Sequence, residues 1–390
     1  MVHLLIAIFF RIFIPTFFVT NNIGMSMNPF KFGTVVDEPY FFNRKKELAR
    51  IAAVLESHNH LTIISPRRYG KTSLIRKALS QNNARHIFLD MQLVLSSGDF
   101  AAQLLKRVYR ISPFSKLKNM VKSFRIIPSL TLNPSTGEID IQFRSDGKNQ
   151  LYPLEDVLNL IDRLGSEKKR IVVAMDEFQE IFRIDKTLDR MLRSLMQNHK
   201  NINYILAGSS ESMMRNIFEN KKSPFYHFAT IMYPGPLPAK EFSVFLQDRF
   251  IPLTDKSELL SSEILRVTNC HPYYTQQFAS FTWDIIKREG FTEDTVGKAL
   301  EEILQNNDNN YERLWQGFNG TEMKVLTGMS DSDLLPLSKE FSFIYNTGSS
   351  STVYSALQKL QEKGIVIKNK KSYSIDDPFF KRWIVVRRER

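Results

Sequence analysis

Short apolar runs alternate with longer amphipathic segments along much of the chain. Runs of four or five apolar residues are typical of buried strands, whereas apolar residues that recur every three or four positions are typical of helices. Strands that alternate with helices form parallel sheets, so the pattern predicts an α/β domain with a doubly wound parallel sheet. The predicted strands are residues 61–64, 86–89, 171–175, 204–207 and 230–233, and the predicted helices are residues 74–79, 100–109, 154–164 and 188–198.

An insertion separates the second predicted strand from the third. Residues 125–132 and 138–144 flank the turn sequence Asn-Pro-Ser-Thr-Gly, which predicts a β-hairpin near 125–144. Between residues 100 and 137 the chain has seven basic residues and no acidic residue. Either a contact with nucleic acid or a partner, or a solvated helix face, explains this charge. The seven are Lys106, Arg107, Arg110, Lys116, Lys118, Lys122 and Arg125.

Breaker residues mark the end of the sheet domain, which we expect to span residues 28–236. Three prolines and a glycine between residues 234 and 238 form the clearest cluster of this kind. Residues 237–316 then follow a helical pattern and predict a small helical bundle. Within this bundle we expect a loop at residues 305–310, which are rich in Asn and Asp.

The last part of the chain, residues 317–390, predicts a winged helix. Helical patterns at 321–329 and 350–363 precede a short hairpin at 365–368 and 372–375, whose turn is basic. The basic wing and the polar residues at 349–352 suit the groove of double-stranded DNA. Winged helices also serve as protein-contact or packing modules in larger ATPases, and the sequence leaves both roles open.

Composition narrows the class of protein. The chain has 390 residues, of which 43% are hydrophobic and 24% charged, as in soluble globular proteins of two or three domains. The single cysteine, Cys270, excludes an intramolecular disulfide and favours a reducing compartment, so we expect a cytoplasmic protein. The net charge of +12 favours anionic partners such as nucleotides, nucleic acid or an acidic membrane surface.

The first 27 residues form an apolar segment of different character. Thirteen of the sixteen residues from 4 to 19 are apolar, but Arg11, Pro15 and Thr16 interrupt the run. It is too short and broken for a membrane span, and no small-residue cleavage site follows it. A translation start at Met25 or Met27 is the plainest explanation, with an anchor to a membrane or partner, or folded structure, as alternatives. We expect no membrane partner.

Candidate chemistry begins between the first predicted strand and the first helix. A strand, a loop that ends in Gly-Lys-Thr and a helix form a phosphate-binding site, where backbone N–H groups converge on the phosphates. Lys71 would reach the β and γ phosphates, and the Thr72 hydroxyl would hold Mg²⁺. An accidental Gly-Lys-Thr in a basic surface loop is the alternative. The predicted nucleotide-binding residues are Ser65, Pro66, Arg67, Arg68, Tyr69, Gly70, Lys71, Thr72 and Ser73.

One position departs from the Walker A pattern. Ser65 lies where the pattern has its first glycine. Serine has less freedom in φ than glycine, so the first turn of the loop is the part of the motif that the sequence supports least.

A second set of polar residues follows the later strands. The apolar strand at 171–175 ends in Asp176 and Glu177, which would hold Mg²⁺ and polarise the attacking water, respectively. After the fourth strand, the Ser209 hydroxyl would bond the γ phosphate or the water, or else cap a helix. Lys71, Asp176, Glu177 and Ser209 are therefore the predicted catalytic residues, and Thr72 and Asp176 the predicted metal ligands.

Six segments together resemble a known family. They are Phe-Asn-Arg at 42–44 with Glu-Leu at 47–48, the loop at 65–74, Asp-Glu-Phe-Gln-Glu at 176–180, residues 207–214, His-Pro-Tyr-Tyr at 271–274 and residues 377–383. In this order they resemble the archaeal-type prokaryotic P-loop ATPases, an AAA+-like family near the signal-transducing and origin-recognition-like branch. The resemblance covers residues 28–383.

The resemblance implies ATP as the nucleotide and adds four binding residues. It implies that Asn43 and Arg44 lie beside the base, and that His271 and Pro272 belong to a helical lid formed by residues 237–316. From the residues alone, the first pair begins a helix with surface salt bridges. The second pair, which follows Cys270, reads as a helix start beside a thiol in the core.

One feature of the resembling family is missing. Its members often have an arginine in Pro-Leu-Tyr-Gly-Arg before the fifth strand, where this chain has Pro-Phe-Tyr-His-Phe at 224–228. Arg215 and Arg190 are substitutes that the sequence does not rank, so a protein partner or a second copy would supply an arginine finger.

Two functions follow from these features. The first is a Mg²⁺-dependent ATPase that acts as a switch, with DNA or protein output through the winged helix at 317–390. The alternative is a DNA-binding regulator or defence component that binds ATP with little turnover. A membrane-tethered ATPase is a third possibility, which depends on translation of the first 24 residues.

Overall fold

The computed structural model describes residues 27–132, 139–143, 151–369 and 372–389. The apolar segment therefore lies outside the described residues except for Met27. The predicted hairpin turn at 133–137 and most of the wing turn at 369–371 lie outside them as well.

A five-stranded parallel sheet forms the centre of the first part, in the strand order β2-β5-β6-β1-β7. This confirms the predicted doubly wound sheet, and all five predicted strands are present within two residues of their expected bounds. In chain order the elements are α1 (Lys45–Leu55), β1 (Leu61–Ile64), α2 (Lys71–Gln81), β2 (His86–Asp90), α3 (Ser97–Ile111), α4 (Phe114–Val121), β3 (Ser129–Leu132), β4 (Ile139–Gln142), α5 (Tyr152–Leu164), β5 (Ile171–Asp176), α6 (Ile181–Ile184), α7 (Leu188–Met196), β6 (Ile202–Gly208), α8 (Glu211–Phe218) and β7 (Thr230–Met232).

Helices cover both faces of this sheet, because its central strands are apolar on both sides. Strands β5 and β6 are buried along their whole lengths. Helices α3, α5 and α7 bury one large apolar cluster against one face, and α1 and α2 bury a smaller cluster against the other. Strands β3 and β4 pair antiparallel, which confirms the predicted hairpin.

The second part of the chain is helical and ends in a small two-stranded sheet. Its elements are α9 (Ala239–Phe250), α10 (Ser257–Thr268), α11 (Pro272–Glu289), α12 (Thr295–Gln316), α13 (Gly320–Asp331), α14 (Lys339–Ile344), α15 (Ser350–Glu362), β8 (Val366–Asn369), β9 (Ser372–Ile375) and α16 (Pro378–Glu389). Strands β8 and β9 pair antiparallel behind α15, which is the arrangement of the predicted winged helix.

The expected loop at 305–310 was wrong, because these residues lie inside α12. Asn and Asp are weak helix formers, but packing overrides such preferences. Ile303 on one side and Tyr311 on the other are buried in the core. The Asp308 carboxylate also accepts a hydrogen bond of 2.7 Å from the Trp383 indole, which ties this stretch to α16.

One apolar core runs through the whole second part, from α9 to α16. Tyr311 of α12 packs against Phe380 of α16, and Trp315 packs against Trp383. Phe30, which precedes the sheet, enters the same core beside Trp283. The helical bundle and the winged helix therefore pack as one body.

No helix among the described residues is long and apolar enough to cross a membrane.

Candidate functional site

The loop between β1 and α2 tolerates serine at its first position. Ser65 is buried and does not have a positive φ, so a Cβ causes no strain there. Its hydroxyl donates a hydrogen bond of 2.7 Å to the carbonyl of Pro234. The left-handed conformation falls instead on Arg68 (φ 65°) and on Gly70 (φ 82°), which precedes α2. The serine that departs from the Walker A pattern thus links the loop to the proline-rich segment at 234–238.

Lys71 begins α2 and folds back over the loop. Its ammonium group donates to the carbonyls of Ser65 and Pro66, both at 2.8 Å. Burial lowers the pKa of Lys71, while the carboxylates of Glu177 and Asp176 act in the opposite direction. The cation is therefore poised beside the two acidic residues that the sequence associates with catalysis.

Thr72 and Asp176 meet at the carboxyl end of the sheet. The Thr72 hydroxyl donates to the Asp176 carboxylate at 2.5 Å. Burial raises the pKa of Asp176, and the bond from Thr72 opposes that rise. A hydroxyl and a carboxylate oxygen are ligands that fit Mg²⁺, which usually takes its remaining ligands from phosphates and water. The described residues contain no cluster of three or more His, Cys, Asp or Glu side chains that could hold a metal ion.

Glu177 is held by the residues around it. Its backbone is left-handed (φ 52°), and one carboxylate oxygen accepts 2.6 Å bonds from the Ser209 hydroxyl and the Gln179 amide. The same oxygen accepts a 3.2 Å bond from the Ser209 backbone N–H. Ser210, not Ser209, is the residue that precedes α8, so the Ser209 side chain bonds Glu177 instead of capping that helix.

The helix α11 presents its N-terminus to the loop. His271 caps this helix, since its Nδ1 accepts from the N–H groups of Tyr273 (3.2 Å) and Tyr274 (3.4 Å). Pro272 occupies the first helical position. The His271 ring packs against Tyr69 of the loop with ring centroids 4.4 Å apart. Burial, reinforced by nearby Arg68, lowers the pKa of His271 to about 3, so the imidazole is neutral at pH 7.

Arg68 joins the loop to the same helix. Its guanidinium lies 4.7 Å from the centre of the Tyr273 ring and 5.7 Å from that of Tyr274. It also donates a hydrogen bond of 3.1 Å to the Tyr274 hydroxyl. Arg67 and Arg68 are both exposed, but the Arg67 side chain makes no hydrogen bond or ion pair within the described part of the chain.

Arg44 and Asn43 lie behind the loop. The buried Arg44 guanidinium donates to the carbonyls of Tyr69 (3.2 Å) and Gly235 (2.7 Å) and pairs with Glu47 at 2.9 Å. Asn43 accepts a weak bond from the N–H of Lys45 at 3.5 Å. Arg44 lines the cleft described next, and Asn43 is not among the residues that line it.

A cleft of about 810 Å³, a size typical of ligand sites, runs from the loop to residues 31–36. Its inner end is polar and contains Lys71, Thr72 and Glu177. The outer end is largely apolar and is formed by residues that the sequence analysis missed. The aromatic residues that precede α1 were the feature of the sequence that could have indicated this apolar end. The outer residues are Phe32, Val35, Val36, Tyr40, Phe41, Phe42, Leu237 and Tyr273.

The two candidate arginine fingers lie elsewhere. Arg215 on α8 stacks over the Tyr233 ring at 5.2 Å, and Arg190 is exposed on α7. Neither lines the nucleotide cleft. The segment that replaces the expected arginine motif places Phe225 in the core against Phe178.

Two family models match the chain. Residues 41–278 match the model of an ATPase domain predominantly from Archaea, and residues 309–386 match that of a probable winged helix domain. No curated protein shows a significant match.

Solved structures share the fold at low sequence identity. The Walker-type ATPase PABY2304 of Pyrococcus abyssi is 19% identical, with a TM-score of 0.63 over 88% of this chain and 96% of that one. The ORC2 protein of Aeropyrum pernix, solved in ADPNP and ADP complexes, is 15% identical, with a TM-score of 0.53 over 92% of this chain and 98% of that one.

Proposed function

The chain belongs to the family of ATPase domains found predominantly in Archaea, and on that premise we propose that it hydrolyses ATP with Mg²⁺ as a molecular switch. One observation carries the proposal: the Glu177 carboxylate is fixed by Ser209 and Gln179 beside Lys71 and the Thr72–Asp176 pair. A cation, a hydroxyl–carboxylate metal site and an oriented carboxylate are the parts that phosphoryl transfer to water requires.

Each side chain has a distinct task in this reaction. Lys71 exchanges its bonds to the loop carbonyls for bonds to the β and γ phosphates. Thr72 and Asp176 hold Mg²⁺, which neutralises phosphate charge when bound. Glu177 accepts the proton of the attacking water, and Ser209 keeps its carboxylate in place.

The switch acts through the contacts between the loop and α11. The loop bonds α11 through Arg68, and α11 shares one core with the winged helix. A nucleotide that rearranges the loop thereby shifts the body that contains the winged helix. The output is binding of duplex DNA or a protein by that domain.

The test measures phosphate release by the full chain with ATP and Mg²⁺, with and without duplex DNA. Glu177→Gln removes the proton acceptor, so we expect turnover to fall by about 10²-fold or more while the affinity for a fluorescent ATP analogue is retained. Lys71→Ala should lose both. Glu180→Gln, a matched change at an acid that pairs with Arg183 on the surface, should leave turnover unchanged. A turnover rate in Glu177→Gln equal to that of the wild type would contradict the proposed hydrolysis.

A second candidate is a DNA-binding regulator or defence component that binds ATP with little turnover. The positions of Arg190 and Arg215, outside the nucleotide cleft, favour it. In that case the wild type binds the analogue, and its slow turnover does not change in Glu177→Gln. Stimulation by a second copy or a partner would instead identify the source of an arginine finger.

A further inference from the structure

A basic surface lies on α3 and α4, far along the chain from the winged helix. Helix α4 buries Leu117 and Val121 against the sheet domain, so one side of it faces solvent. The exposed residues of α4 are serine, asparagine, lysine and, at its first position, the half-exposed Phe114, and none of them is acidic. We define the α4 surface as Arg110, Ser115, Lys116, Lys118, Asn119 and Lys122, all of them exposed.

The cations of this surface differ from their neighbours in their contacts within the described residues. Arg107 donates to the Phe88 carbonyl at 2.7 Å, and Arg125 pairs with Asp156 at 2.9 Å. The side chains of the four cations of the α4 surface have no hydrogen-bond or ion-pair partner within the described part of the chain. These four are Arg110, Lys116, Lys118 and Lys122.

A groove continues this surface towards the nucleotide site. It has a volume of about 900 Å³ and follows the edge strand β2. Arg110 lies at one end, and Thr72 and Asp176 lie at the other. Arg76 and Arg107 line it between these ends. Arginine side chains therefore line the groove between the end of α3 and the Thr72–Asp176 pair, together with the carboxylate of Asp90.

We propose that the α4 surface binds the phosphate backbone of duplex DNA as a second contact, separate from the winged helix. Lysine, serine and asparagine are side chains that contact DNA phosphates without reading the base sequence. An acidic membrane is a poorer fit, because an interfacial helix must insert its apolar face. In α4, Leu117 and Val121 are already buried in the protein, and the half-exposed Phe114 ring stacks on Tyr109. This contact goes beyond the proposed function and does not require hydrolysis.

The experiment compares DNA binding by the full chain and a triple variant, Lys116→Gln, Lys118→Gln and Lys122→Gln. The protein is titrated into a labelled duplex of about 30 base pairs, and the fluorescence anisotropy is measured at several salt concentrations between about 50 and 200 mM, a range in which counterion release changes the affinity strongly. We expect the triple variant to bind about 10-fold more weakly. The slope of log K against log salt should fall by about 2 to 3, because each lost phosphate contact removes about 0.9.

A matched triple variant controls for total charge. Lys221→Gln, Lys222→Gln and Lys240→Gln remove three exposed lysines elsewhere, so their effect should stay within about twofold. Lys359→Gln on α15 tests whether the winged helix contacts DNA. The loss of binding free energy in this variant should add to the loss in the α4 triple variant, because the two sites are separate. Thermal melts check that each variant folds like the wild type.

Three results would overturn the inference. They are equal DNA binding by the α4 triple and the control triple, no DNA binding by the wild type, and binding of acidic vesicles in place of DNA. ATP-analogue affinity is measured on the same samples. If the wild type does not bind the ATP analogue, the proposed function is wrong, but the DNA-binding result is unaffected. The failure of one proposal can therefore be distinguished from the failure of the other.

Discussion

Glu177 shows how single residues set the chemistry of this site. Its left-handed backbone turns the chain sharply after β5, and two side chains then hold its carboxylate. One of them, Gln179, comes from the following turn, and the other, Ser209, comes from the end of the neighbouring strand β6. A carboxylate that is already fixed by residues from two neighbouring strands loses little conformational entropy when it orients a water molecule.

Ser209→Ala removes one of these two holds. The 2.6 Å bond to Glu177 is lost, so the carboxylate samples other positions and kcat should fall about 10-fold, while KM stays within about twofold. Steady-state kinetics of the full chain measure both parameters. Ser210→Ala is the control, since the Ser210 side chain makes no capping bond. Equal kcat in the two variants would show that Ser209 does not position the acid.

Asp376 is a largely buried acid that lies two residues before the last helix. Burial, together with the adjacent Asp377, raises the pKa of Asp376 to about 7. One oxygen of its carboxylate lies 3.9 Å from the Nε2 atom of His271, and both of these atoms are buried without a hydrogen-bond partner among the described residues.

The raised pKa of Asp376 predicts how stability depends on pH. The folded state binds the proton more tightly than the unfolded state, so this contribution is complete below about pH 4 and is lost as pH rises through 7. Asp376→Asn stays neutral, so its melting temperature should exceed that of the wild type at pH 8 by more than at pH 5. Asp333→Asn, at an exposed acid, should show no such trend. Parallel curves for Asp376→Asn and the wild type would refute the shift.

At the scale of elements, the ends of helices carry much of the local specification. Asn319 and Glu322 form a capping box at α13, in which the Asn319 side chain accepts from the N–H groups of Thr321 (3.0 Å) and Glu322 (2.9 Å). Glu322 is buried and pairs with Lys363 after α15 at 2.9 Å. One cap thus fixes two helices of the winged helix relative to each other.

Asn319→Ala should destabilise this part of the protein. The substitution leaves two N–H groups without their acceptor, which costs about 1 kcal/mol of unfolding free energy. Chemical denaturation followed by tryptophan fluorescence reports on it, because Trp315 and Trp383 lie in the same core. Asn319→Ser keeps a capping oxygen and should recover most of the loss. An Asn319→Ala variant as stable as the wild type would show that the box contributes nothing here.

At the scale of the whole molecule, Arg68 is the direct bond between the phosphate loop and the helical body. Its guanidinium stacks on Tyr273 and bonds Tyr274, whose ring packs against Phe379 of α16 at 5.6 Å. Beside it, a cavity of about 680 Å³ separates the loop from the winged helix. The phosphate loop itself therefore meets the helical body through Arg68 and through the Tyr69–His271 ring contact, next to open space, which suits a movable junction.

Arg68→Ala should loosen this junction. Without the bond to Tyr274, the N–H groups of the first turn of α11 should exchange with solvent about 10-fold faster, as measured by hydrogen exchange on the full chain. Arg67→Ala is the matched control, since Arg67 is the neighbouring exposed arginine of the same loop and its side chain makes no hydrogen bond or ion pair among the described residues. Unchanged exchange in Arg68→Ala would exclude this residue from the coupling.

Local pattern was enough to predict the sheet, the phosphate loop and the winged helix. Apolar strand runs and a Gly-Lys-Thr loop depend on neighbours in sequence, so periodicity and spacing reveal them. The prediction of a loop at 305–310 was wrong because the structure of this stretch does not depend on its neighbours in sequence. Its helical state depends on Trp383, 75 residues later, which no local preference encodes.

The sequence by itself determined which residues carry the candidate chemistry, because a strand followed by Asp-Glu or Gly-Lys-Thr places them at one sheet edge. Only the tertiary structure decided what holds them. The bond from Ser209 to Glu177, the apolar end of the nucleotide cleft and the stacking of Arg68 on α11 all join residues distant in sequence. Such contacts arise from packing of complete elements, and their physical cause is therefore absent from any single segment.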